Sequence, residues 1–142
     1  MADVKNKGAT QELYNNTNKI PNLSDFTLED TAQQIDASDH DTVGSYGETL
    51  PGIKTLRGTG TMRAMRDSVT GVLNTQQTAL YTAYLNGTVL TMKLRPFGTG
   101  AGKAEIQFSA RVGAFTQPFP TNGVQDINFT LEGVGAPTVT TQ

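Results

Sequence analysis

The strongest hint of chemistry in this chain is the run Gly98-Thr99-Gly100-Ala101-Gly102-Lys103, which looks at first like a phosphate-binding loop. Such a loop needs Gly, four residues, Gly-Lys and then Ser or Thr, set between a buried strand and a helix. Aligned on Gly102-Lys103, the first glycine position falls on Phe97 and the hydroxyl position on Ala104. Beyond the loop, Ala104, Ile106, Phe108, Ala110 and Val112 alternate with Glu105, Gln107, Ser109 and Arg111, the period of a half-buried strand. Without a helix N-terminus behind it, the loop has no aligned dipole for a phosphate. It reads instead as a glycine-rich hairpin tip with Lys103 either solvated or paired with an acidic neighbour.

The other reactive types fare no better. His40 is the single histidine, and Asp39 and Asp41 beside it point away from the imidazole in an extended segment. Glu29 and Asp30 are adjacent, so on a strand they face opposite ways and make a poor hydrolytic pair. Ser45 in VGSYGE lacks the spacing of a nucleophile elbow. Arg57, Arg63 and Arg66 have no interleaved aromatic residues for stacking nucleobases, and read as surface or inter-subunit ion-pair residues. The sequence therefore predicts no enzyme, no cofactor and no metal site.

Cysteine is absent, so the fold must hold by packing and hydrogen bonds. No apolar run occurs in the first twenty residues, so neither a signal peptide nor a membrane anchor is expected, and a soluble protein made in a cytoplasm is. The net charge of −2 shows no basic stripe of the kind that grips nucleic acid. Charged residues are 17% of the chain, below the roughly 25% usual for soluble domains, while threonine numbers 22. A surface that is polar but weakly charged is cheap to desolvate, which suits packing against copies of itself.

These 142 residues fit one domain. Residues 1–19 read as a flexible N-terminal arm, 20–138 as one β domain and 139–142 as a loose tail. A strand signal begins at Ile20 and resumes after Pro21-Asn22 through Leu23, Phe26 and Leu28. Residues 36–52 are turn-forming throughout, a long loop. In the strand that follows, Leu56, Gly58, Gly60, Met62 and Ala64 share a face, the glycines allowing close approach of another backbone. One helix is predicted over about 75–85, with Asn74 as N-cap, Gln77 completing a capping box, and Leu73, Leu80, Tyr81, Tyr84 and Leu85 as its apolar stripe. Strands over Val89–Arg95, Ala104–Val112 and Asp126–Glu132 complete a mostly β fold, a sandwich or barrel with one flanking helix.

This order of elements, with NLSDFTLEDTAQQIDASDHD, LRGTGTMRAMRDS, NTQQTALYTAYLNGTVLTMKLRPF and VQDINFTLEGVGAPTVT, resembles the major tail tube protein of long-tailed bacteriophages. The likeness spans roughly Ile20 to Thr138 and is strongest in the closing alternating run followed by Gly-x-Gly-Ala-Pro. It implies a virion structural protein whose hexameric rings stack into a hollow tube that passes DNA without binding it specifically. Its partners would be itself and the other tail proteins (tape measure, terminator, and baseplate or tip), with no membrane. Assembly would take place in the host bacterial cytoplasm. Six copies would carry six times −2, or −12 per ring, mildly repelling DNA. The long loop, with Asp39, Val43, Tyr46 and Leu50, would be a ring-stacking element. Lys93, Arg95, Glu105, Gln107, Arg111, Asp126, Asn128 and Glu132 form a polar surface of mixed sign available to line the lumen. The alternatives are another tube or connector component (tail terminator, head-tail joining protein, type VI secretion tube subunit) or a carbohydrate-binding or adhesin module. The absence of tryptophan and the 7% aromatic content speak against the last.

Overall fold

The computed structural model describes residues 11–36, 49–121 and 123–142, and in it the alternating segments become eight strands and one helix. In chain order these are β1 (Glu12–Asn15), β2 (Asn18–Lys19), β3 (Leu23–Asp36), β4 (Thr49–Arg63), α1 (Thr75–Asn86), β5 (Val89–Arg95), β6 (Ala104–Thr116), β7 (Asp126–Gly133) and β8 (Thr138–Thr141). They form one antiparallel sheet in the order β2-β1-β5-β6-β7-β4-β3, with β8 paired to the first half of β6. The described residues thus form a mostly β domain with one flanking helix.

The sheet rolls around one core. Leu13 of β1, near one edge, and Phe26 of β3, at the other, belong to the same buried cluster as Met62, Leu80, Met92, Phe108, Ile127, Phe129 and Leu131. Across the roll, Gln11 Nε2 donates to the Phe26 carbonyl at 3.0 Å. Each fully buried Leu or Phe in such a cluster contributes about 1.5–3 kcal/mol. Gly58 and Gly60 serve this core in a way their sequence pattern did not suggest. A Cβ on Gly60 would meet Phe129 Cζ at 2.5 Å and Phe26 Cδ2 at 3.0 Å, and one on Gly58 would meet Phe26 Cζ at 2.6 Å. Aromatic rings, not a second backbone, fill the space the glycines leave.

The helix begins as expected, with Asn74 Oδ1 accepting from the Gln76 N–H, and ends at Gly87 in the left-handed conformation (φ 65°). Two details of its reading are corrected. Gln77 makes no capping box: it is fully buried, and its amide bonds to Met65, Arg63 and Pro21. The buried row is Gln77, Leu80 and Ala83, with Tyr81 stacked on Phe115 at 5.2 Å, whereas Tyr84 and Leu85 are exposed. Gln77 thus shares the buried side of the helix with Leu80, and the far end of the expected stripe turns outward.

Three segments expected to be loose are strands. Residues 12–19 form the β1–β2 hairpin, where Leu13 is fully buried and Asn16 takes the positive φ (59°) of the turn. The polar Asn-Asn-Thr-Asn cluster is that turn. Thr138–Thr141 pairs with Gln107–Ala104. Between them, β3 runs to Asp36 and β4 starts at Thr49, so the outer parts of the expected long loop are paired strand.

Candidate functional site

Register determines what the sheet presents outward. β5 and β6 pair with Lys93 opposite Gln107 and Val89 opposite Arg111. β6 and β7 pair with Arg111 opposite Glu132, and β7 and β4 with Glu132 opposite Arg57. Since side chains alternate along each strand, these pairings place all eight residues of the expected polar surface on one face. They are Lys93 and Arg95 on β5, Glu105, Gln107 and Arg111 on β6, and Asp126, Asn128 and Glu132 on β7. A register shift at Gly113 keeps Thr116 opposite Asn128 on this same side.

Charges on this face alternate in sign. One row crosses four strands as Glu29, Arg57, Glu132 and Arg111, with Arg57 Nε 3.4 Å from Glu132 Oε1. Arg63 Nε lies 3.7 Å from Asp126 Oδ1, and Thr61 Oγ1 donates to Asn128 Oδ1 at 2.8 Å. Exposed pairs like these contribute under about 1 kcal/mol each. Their effect is on the potential: each arginine of these rows sits beside a carboxylate, so this face carries no continuous positive track. Arg57 and Arg63 thus serve as surface ion-pair residues.

At the β1–β5–β6 end the same face carries a buried polar network. Glu105 is only 5% exposed. Its Oε2 accepts from Gln107 Nε2 at 2.8 Å and its Oε1 from Arg95 Nε at 2.9 Å. Arg95 in turn lies over the Tyr14 ring, 4.2 Å from its centroid, and donates to Thr99 Oγ1 at 3.0 Å. Glu12 joins through Thr99 and through Lys19 Nζ at 2.7 Å. Glu105, an outward strand position by its alternation, is thus buried within a polar network. No local pattern signals this network, because Tyr14 and Thr99, which hold Arg95, come from segments read as arm and hairpin tip.

Glu105 has a testable consequence. Hydrogen bonding from Gln107 and then Arg95 holds its carboxyl below the ordinary value of 4.5. With the folded pKa depressed, its contribution is complete above pH 4.5 and is lost as pH falls through the lowered value. Glu105→Gln is expected to lose about 1–3 kcal/mol at neutral pH. Its stability should also fall less steeply than the parent's below pH 4.5. Urea unfolding across that range measures both, and parallel acid limbs would remove Glu105 from the account.

The glycine-rich tip is likewise tied into the chain. Gln142 grips it from the β8 side: Gly100 N donates to Gln142 Oε1 at 3.1 Å, and Gln142 Nε2 donates to the Gly98 carbonyl at 2.8 Å. Lys103 Nζ donates to the Phe97 carbonyl at 3.2 Å, so it bonds within its own loop, and among the described residues no salt bridge pairs it with a carboxylate. β6 follows the tip, where a phosphate loop would need a helix. An open cleft of about 420 Å³ lies between the tip and Ile20–Leu23, lined by Glu12, Lys19 and Lys103 in mixed charge.

Asp39, Val43 and Tyr46 lie outside the described residues, as does His40. The Leu50 backbone pairs with Ile35 in the β3–β4 ladder. Two residues make bonds that their reading in the sequence did not include. Arg66, grouped there with surface ion-pair arginines, donates instead to Gln125 Oε1 (3.0 Å), the Gly71 carbonyl (3.0 Å) and Gln117 Oε1 (3.5 Å), and lies over Phe119. It ties residues 65–73 to Gln117 and Gln125. Gln77 locks the helix to the end of β4 in a similar way.

The same rolled sheet and helix occur in solved tail assemblies. A chain from the tail of an empty gene transfer agent particle, refined with C6 symmetry, superposes with a TM-score of 0.74 at 15% identity, covering 94% of this chain and 98% of the other. The chain has the tail-tube fold. The SPP1 tail tube matches with a TM-score of 0.72 at 14% identity, over 96% of this chain and 79% of that one. A chain of the sheath/tube terminator of an extracellular contractile injection system matches with a TM-score of 0.70 at 14% identity, over 99% of both. No protein-family model and no curated protein matches this chain. The likeness therefore lives in the fold.

Proposed function

We propose that this protein is the structural subunit of a hollow phage-type tail tube, with no catalytic role, built from hexameric rings stacked end to end. The observation that carries the reading is the whole-chain match to a subunit of a C6-symmetric tail. The weakly charged, threonine-rich surface supports it, because copies pack with little desolvation cost. In this reading the mixed-sign polar face of β4, β6 and β7 contributes to the lumen, and DNA passes without being gripped. Residues 39–52 reach a neighbouring ring. The other tail proteins (tape measure, terminator and tip) are its remaining partners, in the virion tail, after assembly in a bacterial cytoplasm.

A second reading, a tube terminator, draws on the end-to-end match to a sheath/tube terminator chain. Growth separates the two. Concentrated protein viewed by negative-stain microscopy is expected to give tubes of constant width and variable length. Single rings that never stack would favour the terminator. Protein that sediments only as monomer at every salt concentration would sink both. The same tubes should leave duplex DNA unretarded in gel electrophoresis even at low salt, where attraction to phosphate is strongest.

A further inference from the structure

The Arg66-centred junction carries an unusual surface. Around it, Val69 is 90% exposed, Phe119 75%, Val72 64%, Val124 54% and Met65 40%. Together they leave several hundred Å² of apolar surface, against about 800 Å² contributed by each partner in a standard interface. The junction is built, not frayed. Arg66 bonds both loops, Asp67 Oδ1 accepts from the Val69 and Thr70 N–H groups at 2.8 and 2.9 Å, and the Asp67 N–H donates to the Val72 carbonyl. Exposed valines on so ordered a platform call for a cover.

At the opposite end of the β4–β7 ladder lies a groove of about 270 Å³, lined by Leu56, Ala136, Pro137 and Gly135, with Lys54 and Asp30 at its rim. Ile53 beside it is 73% exposed. Arg63, where the platform begins, and Leu56, at the groove, are seven residues apart on β4, about 23 Å at strand rise. Unlike surfaces at opposite ends of one ladder are what a head-to-tail contact requires, and such contacts propagate without limit unless they close. Charge agrees: the platform offers Asp67 to Lys54 and Arg66 to Asp30.

We infer that the platform of one copy seats in the groove of the next, with Val69 and Phe119 entering beside Leu56 and Pro137. This rests on the tube reading and names the surfaces that join its subunits.

The chain has no cysteine, which makes cross-linking clean. The double variant Val69→Cys/Ile53→Cys should oxidise to a ladder of multimers, while each single variant stops at dimers. Val69→Asp and Phe119→Asp, both at exposed positions, should fold normally by circular dichroism. Each should raise the concentration needed for assembly about tenfold or more. If the parent forms tubes, and these aspartate variants assemble like it or the double-cysteine protein gives no ladder, the pairing is wrong while the tube reading stands. A parent that remains monomeric overturns both.

Discussion

Gly60→Val is expected to leave no folded protein at 37 °C. Gly60 sits on β4 between Phe26 of β3 and Phe129 of β7, in register with both. The two rings lie 6.3 Å apart, centroid to centroid, and meet over the glycine. Any Cβ there lies 2.5 Å from Phe129 Cζ, well inside contact distance, and the obstacle is a buried ring with no free rotamer to adopt. A β-branched side chain would displace both rings from the centre of the core. Overpacking of this kind costs about 3 kcal/mol or more, a large part of the stability of a domain this size. Phe129→Leu combined with Gly60→Ala should recover part of the loss, since the smaller partner vacates the space. Thermal unfolding of the three proteins checks this, and a Gly60→Val protein melting near the parent would refute the packing account.

Gln77→Leu is the second large effect. The leucine fits the volume and favours the helix, so packing alone predicts a neutral or stabilising change. Hydrogen bonding predicts the reverse. Gln77 Oε1 accepts from the Met65 N–H at 2.9 Å, and Nε2 donates to the Arg63 carbonyl at 2.9 Å. Removing the amide leaves a half-buried donor and acceptor without partners, at about 1–3 kcal/mol each. A net loss of about 2–4 kcal/mol is expected from urea unfolding, with hydrogen exchange quickening first at Met65 and through the start of α1. A variant as stable as the parent would show that water replaces the amide freely.

These two residues also mark how far the sequence could be read. β4 and β7 announce themselves because apolar side chains alternate over Leu56–Met62 and Ile127–Leu131, and that pattern has one physical solution, a half-buried strand. α1 announces itself through Asn74 and Gly87, whose capping chemistry is local. The polar face was legible for the same reason, since alternation that points Phe129 inward must point Asn128 outward. Partners distant in the chain were not legible. Glu105 reads as exposed until Tyr14 and Thr99 arrive from elsewhere, and Gln77 reads as a capping residue until Arg63 and Pro21 do. The β1–β2 hairpin escaped because a strand with one apolar residue, Leu13, leaves no period to detect. β8 escaped because its bonds are to the β6 backbone and its Gln142 to a loop, and neither needs an apolar pattern.

The bond from Gln11 to the Phe26 carbonyl does not close the roll alone. The two ends of the sheet are also joined covalently, because β2 leads into β3 through residues 20–22. Within that link the Ile20 N–H donates to the Leu13 carbonyl and the Asn22 carbonyl accepts from the Arg63 N–H, both at 2.9 Å, while the Ile20 side chain sits in the core. Mechanically the molecule is a sleeve stitched along its seam by its own chain.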